Sequence, residues 1–458
     1  MADESRKPLV FVLGLAGALR LATPLLALAI ASERPLFREP DSFGYLRVAE
    51  QLTSTGRFAV DGAPEIVRTP GYPLLLAIGV LARRVDAVTI GLQIGLSCLT
   101  VWLVFRIGLL SFAERRASLA AAALLACEPL SVLYASKLLS ETLFTALITL
   151  AIWFAARYLR ESRWFDVVGT AVSVAAAAYV RPIAYYLPLW LAVVSLPLWV
   201  RRSKPRRLLA IQFGAFLLLA MSLMALWQGR NQRAAGYTGF SAIADVNLYY
   251  YEAVPVLAEL EGIAPERLPD FQRELGFHDR AAWLRRHPEQ AGWSDARRYA
   301  AMRSEALTIL RKHPWVAVRL HFSGMAHMLF DSGRNAWVHF FHLLPEGDAE
   351  AAGGLRPAAE RLAAALRSKP LVLAIHAVLA VALAVYLGLA LVGLATGLRQ
   401  RNPLMPLLVA FAAYFLLLSG GPAGYHRFRL PVEPAICLLA GLGYSMVFEA
   451  YRRWRRHA

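Results

Sequence analysis

Charged residues are scarce in this chain of 458 residues: they make up 18% of it, whereas 57% is hydrophobic. Soluble proteins of this size carry about 25% charged residues. The apolar residues also lie in continuous runs rather than in one-sided stripes. About 20 apolar residues at 1.5 Å rise match the roughly 30 Å hydrocarbon core of a bilayer. The composition therefore predicts an all-α membrane protein and argues against a soluble domain.

Cysteine is also rare, and the short motifs of several enzyme classes are missing. Cys98, Cys127 and Cys437 lie in apolar segments and form neither a disulfide framework nor a metal-ligand spacing. Buried free thiols are expected. No Walker loop, dinucleotide-binding glycine pattern or nucleophilic serine elbow occurs in a suitable context. The sequence thus gives no sign of a nucleotide-binding enzyme or a serine hydrolase.

The net charge of +17 is explained by membrane topology rather than by nucleic-acid binding, because basic loops orient a membrane protein and contact anionic lipid. Ten apolar spans are predicted. They cover residues 9–31, 88–110, 118–136, 139–158, 165–180, 183–200, 207–228, 371–397, 403–419 and 431–450. The first is interpreted as a signal anchor, since no clear cleavage site follows it.

Every loop on one side of this map is basic. The residues are Arg115, Arg116, Arg157, Arg160, Arg163, Arg201, Arg202, Lys204, Arg206, Arg207, Arg399, Arg401, Arg452, Arg453, Arg455 and Arg456. Because cytoplasmic loops are rich in lysine and arginine, we expect both termini in the cytoplasm. The expected location is the bacterial inner membrane, with two long segments, 32–87 and 229–370, on the periplasmic face.

An eleventh apolar stretch, Pro314–Phe330, lies in the second outer segment. It contains Arg319, His321 and His327, and ionisable groups are costly in hydrocarbon. We therefore expect a helix that lies along the membrane interface rather than one that crosses it.

The first outer segment contains the run Glu39-Pro40-Asp41-Ser42-Phe43-Gly44-Tyr45. Asp41 or Ser42 can cap a short helix that Gly56 ends, with one apolar face on the bilayer. This arrangement would place the Asp41 carboxylate at the boundary between membrane and water. Two interpretations stay open: Asp41 is a helix cap, or it is a general base that takes a proton from an acceptor hydroxyl.

Cations occur at turns that the topology places on the outer face. Arg68 begins the run Arg68-Thr69-Pro70-Gly71-Tyr72-Pro73, Lys137 and Glu141 lie at a tight turn, and Arg181 precedes Pro182 at another. Positive charges there oppose the orienting bias and need a local reason. A lipid-borne phosphate is one such reason. The alternatives are lipid headgroups for Arg68 and an i, i+4 pair between Lys137 and Glu141.

Two further outer sites carry polar residues. The glycine-rich turn Gly420–Pro431 holds His426, Arg427 and Arg429, and Arg230 with Asn231 opens the second outer segment. Amides and aromatic rings near Arg230 suit sugar recognition. Four histidines could resemble a metal cluster, but their spacing fits no zinc motif, and interfacial histidines are the favoured interpretation. They are His321, His327, His339 and His342.

In order and in common side, these motifs resemble the C-type (GT-C) glycosyltransferases, which use polyprenyl-phosphate-linked sugars and include protein O-mannosyltransferases and lipid A aminoarabinose transferases. The resemblance covers most of the chain. The motifs are Asp41-Ser42-Phe43-Gly44-Tyr45, Arg68 to Pro73, Ser140-Glu141, Arg181-Pro182, Gly229-Arg230-Asn231 and Arg427-Phe428-Arg429-Leu430-Pro431.

The resemblance implies a polytopic GT-C-like helical bundle with interfacial helices in both outer segments. It also implies an inverting transfer of sugar from a polyprenyl-phosphate donor to a lipid, glycan or protein acceptor. The family's first-loop acidic residue maps to Asp41, the expected catalytic base, although the nearby Glu39 leaves open which carboxylate acts. The expected substrate-binding residues are Glu39, Tyr45, Arg68, Lys137, Glu141, Arg181, Arg230, Asn231, His426, Arg427 and Arg429.

The expected organisation is an N-terminal membrane module with the catalytic first outer loop (1–228), an outer-face segment (229–370) and C-terminal spans (371–458). Donor, acceptor and membrane lipids are the expected partners, and nucleic acid is not. No cofactor is required by the sequence, and a divalent cation is the one left open. A transporter or flippase of a lipid-linked sugar is the alternative, although paired broken helices and repeat symmetry are not apparent.

Overall fold

The computed structural model describes residues 7–30, 37–112, 114–200, 205–343 and 370–457. These residues fold into helices with one two-stranded hairpin, β1 (Ala59–Val60) and β2 (Ala63–Pro64). The α-helices are α1 (Lys7–Ile30), α2 (Pro40–Thr55), α3 (Gly71–Leu81), α4 (Val85–Phe112), α5 (Arg115–Cys127), α6 (Pro129–Tyr134), α7 (Glu141–Glu161), α8 (Trp164–Val180), α9 (Leu187–Val200), α10 (Arg206–Ala235), α11 (Ile243–Asn247), α12 (Val254–Leu260), α13 (Leu268–Glu274), α14 (Arg280–Arg286), α15 (Asp295–Lys312), α16 (Pro314–Phe330), α17 (Arg334–Phe340), α18 (Pro370–Arg399), α19 (Met405–Leu418) and α20 (Glu433–His457).

Helices occupy all ten predicted spans. Within the described ranges, six helical segments are long and apolar enough to cross a membrane, and four shorter apolar helices, Gly71–Leu81, Trp164–Val180, Pro182–Val194 and Met405–Leu418, accompany them. Short 3₁₀ turns precede α9 and α20. The prediction of an all-α, multi-pass membrane protein is confirmed.

The third predicted span is two helices rather than one. Helix α5 ends at Cys127, Glu128 is extended, and Pro129 begins α6. Proline has no N–H and suits the first helical position, so it starts a new helix here. The Glu128 carboxylate caps α6 by accepting from the Leu130 and Ser131 N–H groups. The sequence prediction treated this stretch as one apolar run and missed the break.

A buried arginine of α1 stabilises this break. Arg20 is fully buried and donates to the carbonyls of Leu125 and Ala126, which lie in the last turn of the interrupted helix. It also donates to the Ser97 and Ser131 hydroxyls. These contacts satisfy a charged group inside the bundle, where an unpaired one would be costly.

Helix α10 is longer than its predicted span, which ends at residue 228. It continues to Ala235 and ends at Gly236, which has φ 70°. Gly229 lies inside the helix, while Gly236 supplies the left-handed residue that commonly follows a helix. Arg230 and Asn231 therefore lie on the last turns of α10 rather than in the outer loop.

The bundle packs around α20, which lies against α18 and α5. Helix α4 joins α5 to α7, and α8 connects α7 to α10. At the α18–α20 contact, a Cβ on Gly393 would overlap the Leu439 carbonyl, and one on Gly443 would overlap the Leu389 carbonyl. Small residues thus let the two backbones approach closely, as is common between membrane helices.

We expect Gly393→Ala to lower the melting temperature of the protein in detergent by several degrees, because the added methyl forces α18 and α20 apart. Gly388→Ala, in the same helix, is the control, since nothing lies within 4 Å of its added Cβ. Equal melting temperatures for the two variants would contradict this packing.

The segment after α10, which the loop charges predict on the outer face, folds into the helices α11 to α17 over its described part, residues 236–343. Tyr249, Tyr250 and Trp283 form the centre of its own apolar cluster. Helix α16 covers the predicted Pro314–Phe330 stretch and leaves Trp315 83% exposed. Whether α16 lies along the membrane interface stays a prediction. Residues 344–369, which precede the predicted domain boundary near 370, lie outside the described residues.

The three thiols are free, and their burial differs from the expectation. Cys437 is buried and Cys98 is half-buried, whereas Cys127 is exposed at the end of α5. The expectation of a buried thiol is therefore wrong for Cys127, because the helix break directs that end of α5 to the surface.

Candidate active site

Helix α2 brings the first-loop carboxylates to one end of the bundle. Glu39 is its N-cap residue, and the Ser42 hydroxyl accepts a hydrogen bond from the Glu39 N–H at 2.9 Å. The same hydroxyl donates to the Leu138 carbonyl at 2.8 Å, which ties α2 to the turn before α7. Gly56 ends the helix as predicted. The interpretation of Asp41 as the helix cap is wrong, because Glu39 occupies that position.

Asp41 lies between two guanidinium groups. Its Oδ1 accepts from Nη2 of Arg68 at 2.8 Å, and its Oδ2 accepts from Nη1 of Arg427 at 2.9 Å. The Asp41 side chain is still 38% exposed. Burial raises the pKa of Asp41, but Arg427 and then Arg68 outweigh this effect and hold the pKa well below its usual value. The carboxylate is therefore ionised at physiological pH and open to an incoming ligand.

Arg68 is fixed by the segment that precedes α3. Glu65 Oε1 accepts from the N–H groups of Val67 at 2.5 Å and Arg68 at 2.8 Å. The guanidinium lies 4.5 Å from the ring centroid of Tyr45, a cation–π contact. A Cβ on Gly44 would come within 3.2 Å of Nη2 of Arg68. Both Gly44 and Tyr45 of the first-loop motif therefore shape the position of this cation.

Glu141, the first residue of α7, connects two more arginines. Its side chain is fully buried. Oε1 accepts from Nη1 of Arg181 at 2.5 Å and also from Nε of Arg427. Arg427 thus bridges Asp41 and Glu141 with different nitrogens, and it joins residues far apart in the sequence into one continuous set of ion pairs.

Lys137 pairs with Glu39 rather than with Glu141. Its Nζ lies 2.5 Å from Oε1 of Glu39, and the lysine side chain is almost completely buried. The alternative of an i, i+4 pair between Lys137 and Glu141 is wrong, because residues 135–140 form a turn and α7 begins only at Glu141. The two side chains therefore do not share a helix face.

We call Arg68, Asp41, Arg427, Glu141 and Arg181 the arginine–carboxylate network. Three guanidinium groups and two carboxylates leave a formal charge of +3 − 2 = +1. The adjacent Lys137–Glu39 pair is neutral. A partly exposed site with excess positive charge and many N–H donors suits a phosphate or another anion.

The low pKa of Asp41 predicts how stability depends on pH. A carboxylate whose pKa is lower in the folded protein than in the unfolded chain stabilises the fold at pH values above the pKa in the unfolded chain, which is about 3.9. This stabilisation is lost as the pH falls toward the pKa in the folded protein. Melting temperatures of wild type and Asp41→Asn should therefore differ by a constant amount from about pH 8 to about pH 5 and converge below about pH 4. A difference that already shrinks near neutral pH would contradict the assignment. Asp270→Asn, at an exposed pair with Arg273, is the control.

His426 and Arg429 point away from this network. Nε of Arg429 donates to Glu433 at 2.5 Å, and its Nη1 donates to the Asp331 carbonyl at 2.8 Å. His426 lies between the Asp331 carboxylate and the Tyr134 hydroxyl. The expectation that Arg429 binds substrate has no support from this geometry, because the 3₁₀ turn directs Arg427 to Asp41 and Arg429 to Glu433.

Arg230 and Asn231 bind backbone carbonyls near the network rather than its carboxylates. Arg230 donates to the Glu65 and Phe58 carbonyls, both at 2.5 Å. Asn231 is buried and donates to the Phe240 carbonyl at 3.0 Å. Arg230 thus supports the segment that holds Arg68, and neither side chain contacts Asp41. Their predicted role in sugar binding has no support from this geometry.

Two tyrosines near the network were not selected from the sequence. The Tyr425 hydroxyl accepts from Nη1 of Arg427 at 3.3 Å. Burial, followed by the charge of Asp41, raises the pKa of Tyr251 to about 12. Tyr425 could have been found from its place two residues before Arg427. Tyr251 belongs to the outer segment, and nothing in its local sequence indicates the approach to Asp41.

The four histidines that could resemble a metal cluster in the sequence make separate contacts in the structure. His321 Nε2 lies 2.8 Å from the Leu417 carbonyl, and His327 lies near Asp331. His339 and His342 have ring centroids 6.2 Å apart. In the part of the chain that the structure describes, no group of three or more potential metal-ligating side chains converges. The divalent cation left open by the sequence stays untested.

Comparison with protein families matches residues 67–227 to the family of dolichyl-phosphate-mannose-protein mannosyltransferases. The match covers Arg68, Lys137, Glu141 and Arg181 but not Asp41 or Arg427. No curated protein matches the chain.

Solved structures with the same fold include the archaeal oligosaccharyltransferase AglB from Archaeoglobus fulgidus. Its complex with an inhibitory peptide and a dolichol-phosphate aligns at a TM-score of 0.55 and 14% identity, over 99% of this chain and 51% of AglB. The apo form from the same organism aligns at 0.53 and 13% identity, over 98% and 51%. The chain therefore spans about half the length of these relatives.

ArnT from Cupriavidus metallidurans, bound to undecaprenyl phosphate, aligns at 14% identity over 94% of this chain and 77% of ArnT, but its TM-score of 0.41 is too low to support a fold assignment. The AglB structures are sufficient for the fold, although their low identity carries no activity across. Together with the family match, they show that this multi-pass membrane chain has the fold of the GT-C glycosyltransferases that its motifs resemble.

Proposed function

We propose that this protein is an inverting membrane glycosyltransferase that moves a sugar from a polyprenyl-phosphate donor to an acceptor hydroxyl. The observation that carries the proposal is the Asp41 carboxylate, bound by Arg68 and Arg427 yet 38% exposed. This arrangement sets an ionised carboxylate beside excess positive charge. Removal of a proton from an acceptor and departure of a phosphate need these two features side by side.

Donor binding would activate Asp41 by taking away one of its partners. Arg427 donates to Asp41 through Nη1 and to Glu141 through Nε. A phosphate that accepts from Nη1 replaces Asp41 at that nitrogen and leaves the carboxylate with Arg68 alone. Loss of a cationic partner raises the pKa of a carboxylate. Asp41 would therefore become a stronger base only after the donor has bound.

The transfer itself is a single displacement. The acceptor oxygen attacks the anomeric carbon of the sugar, its proton passes to Asp41, and the bond from the anomeric carbon to the phosphate oxygen breaks. The polyprenyl phosphate leaves with the electron pair of that bond and is stabilised by Arg427 and Arg181. Attack from the side opposite the leaving group inverts the configuration. A groove between apolar helices would hold the prenyl chain.

The full chain in nanodiscs, mixed with undecaprenyl-phosphate-linked sugars and soluble acceptor glycans, provides the test. We expect free undecaprenyl phosphate to accumulate together with a product of inverted anomeric configuration. Transport of the sugar–lipid across the membrane of proteoliposomes distinguishes a transporter from a glycosyltransferase. A sugar–lipid that crosses the bilayer with its phosphate bond intact, without any release of undecaprenyl phosphate, would overturn the proposal.

For the membrane orientation, we propose a periplasmic site in the bacterial inner membrane with both termini in the cytoplasm. Helix α7 supports this, because Glu141 at its start belongs to the network whereas the basic residues near Arg160 lie at its other end. Helix α8 runs back from that basic turn to Arg181. The network and the basic loops therefore occupy opposite ends of these helices.

Single cysteines in a cysteine-free background test this orientation. An impermeant maleimide added to intact spheroplasts should label Trp315→Cys and Phe330→Cys, near the two ends of α16, because we expect that helix to lie along the outer interface. Ser54→Cys, at an exposed position of α2, is the control that should be labelled. Arg401→Cys, in a loop that we propose to be cytoplasmic, is the control that should stay unlabelled. Labelling of the two α16 positions from opposite compartments would show that α16 crosses the membrane.

A further inference from the structure

The 3₁₀ turn His426–Val432 presents Arg427 to the network while two neighbours anchor the turn on the other side. Nδ1 of His426 lies 2.7 Å from Oδ2 of Asp331. Nη1 of Arg429 donates to the backbone carbonyl of the same residue at 2.8 Å. Asp331 therefore binds the residue before Arg427 with its side chain and the residue two positions after it with its backbone.

Asp331 is itself held in a fixed position between α16 and α17. Its backbone N–H donates to the His327 carbonyl at 2.8 Å, and its Oδ1 accepts from the Gly333 N–H at 2.9 Å. Gly333 has φ 75°, a conformation that favours glycine. An ionised carboxylate only accepts hydrogen bonds, so Nδ1 of His426 carries the proton. Its Nε2 lies 3.3 Å from the Tyr134 hydroxyl.

A second contact joins α16 to the loop that precedes the 3₁₀ turn. A Cβ on Gly324 of α16 would overlap the Gly421 carbonyl, and one on Gly424 would lie 2.7 Å from the Gly324 carbonyl. The two backbones therefore touch directly. Because α16 contacts the 420–432 segment both here and through Asp331, a shift of α16 would carry Arg427 with it.

We infer that Asp331 is a positioning residue for Arg427: it sets the guanidinium between Asp41 and Glu141 without contacting the network or a substrate. The inference rests on the proposed function, which assigns Arg427 to the donor phosphate. It also gives the outer segment a part in donor binding, because Asp331 follows α16 directly.

The test measures affinity for undecaprenyl phosphate with the full chain in nanodiscs. Asp331→Ala should weaken binding about tenfold, the effect of losing one well-placed charge-assisted hydrogen bond. Asp270→Ala, which removes an exposed carboxylate of the same outer segment, should leave the affinity unchanged. In an Arg427→Ala background, Asp331→Ala should cause no further loss, because the residue it positions is gone.

A purely structural role for Asp331 would lower the melting temperature and leave the affinity of the folded fraction unchanged, and that result would overturn the inference. If Asp331→Ala lowered the affinity as much in the Arg427→Ala background as in the wild type, that result would also overturn the inference. If Asp331→Ala does not fold, His426 carries the test: His426→Asn retains an N–H donor toward Asp331 and should bind nearly as wild type, whereas His426→Ala should weaken binding about tenfold.

The outcome for Arg427→Ala separates failure of this inference from failure of the proposed function. If Arg427→Ala weakens undecaprenyl phosphate binding and both Asp331→Ala and His426→Ala do not, only the positioning role is wrong. If Arg427→Ala binds as wild type, or the wild type does not bind this lipid, the phosphate site itself is wrong.

Discussion

Asp41→Asn should lower turnover by about 10²–10⁴-fold, the usual contribution of a general base, while undecaprenyl phosphate still binds. The amide keeps the shape of the side chain and can accept from one arginine, so Arg68 or Arg427 retains a partner. It cannot take a proton from an attacking hydroxyl. The binding site for the phosphate therefore survives and the chemical step does not.

The measurement compares turnover and lipid affinity for wild type, Asp41→Asn and Glu39→Gln in one nanodisc preparation. Glu39 is the matched control because it is a neighbouring carboxylate whose pKa is also lowered: burial opposes the shift, and Lys137 outweighs it. Its partner lies outside the arginine–carboxylate network. If Asp41→Asn keeps nearly full turnover and Glu39→Gln loses it, Glu39 is the base.

The sequence predicts this site best at charged residues that the loop-charge pattern places on one side of the membrane. Asp41, Glu141, Arg181 and Arg427 occur in four separate segments, and the charge pattern of the loops alone puts them at the same end of the bundle. An ionisable residue at a helix end near the membrane needs a partner. The structure brings these four side chains, with Arg68, into one set of ion pairs.

Side-chain direction is the part that the sequence could not provide. Arg427 and Arg429 are two residues apart in one turn, yet only the first reaches Asp41. Their directions depend on the 3₁₀ geometry and on Asp331, a residue nearly a hundred positions earlier. Lys137 likewise reaches Glu39, which lies 98 positions earlier in the sequence. Local spacing rules apply within one helix and fail at turns such as these.

The helix boundaries differ from the sequence prediction for a similar reason. An apolar run shows that a segment suits the membrane, but it does not show whether the segment is one helix or two. The break at Glu128 depends on Pro129 and on Arg20 of another helix. Both features are single residues within apolar runs, and an averaged hydropathy pattern does not show their effect on the backbone.

Arg427→Ala should have the second large effect, and it should act on binding and on stability together. Undecaprenyl phosphate affinity should fall by about 10–100-fold, because a charged hydrogen-bond donor to the phosphate is lost. Stability should fall as well, since Glu141 is fully buried and would keep Arg181 alone as its cationic partner. Removal of one partner from a buried ion pair costs about 3–5 kcal/mol when the other charge is left unpaired, and the remaining Arg181 partner should keep the loss here below that value.

Two further variants separate these effects. Arg427→Gln removes the positive charge but keeps amide N–H donors for the network carboxylates, so it should lose less melting temperature than Arg427→Ala without recovering lipid affinity. Arg429→Ala removes a buried arginine whose partners are Glu433 and three backbone carbonyls. Because Arg429 helps to anchor the turn that presents Arg427, this variant should lower the melting temperature and weaken lipid binding, but by less than Arg427→Ala does. The measurements are thermal unfolding and undecaprenyl phosphate binding in the same nanodiscs. Equal loss of affinity in Arg427→Ala and Arg429→Ala would mean that the turn as a whole, rather than the one guanidinium between Asp41 and Glu141, controls binding.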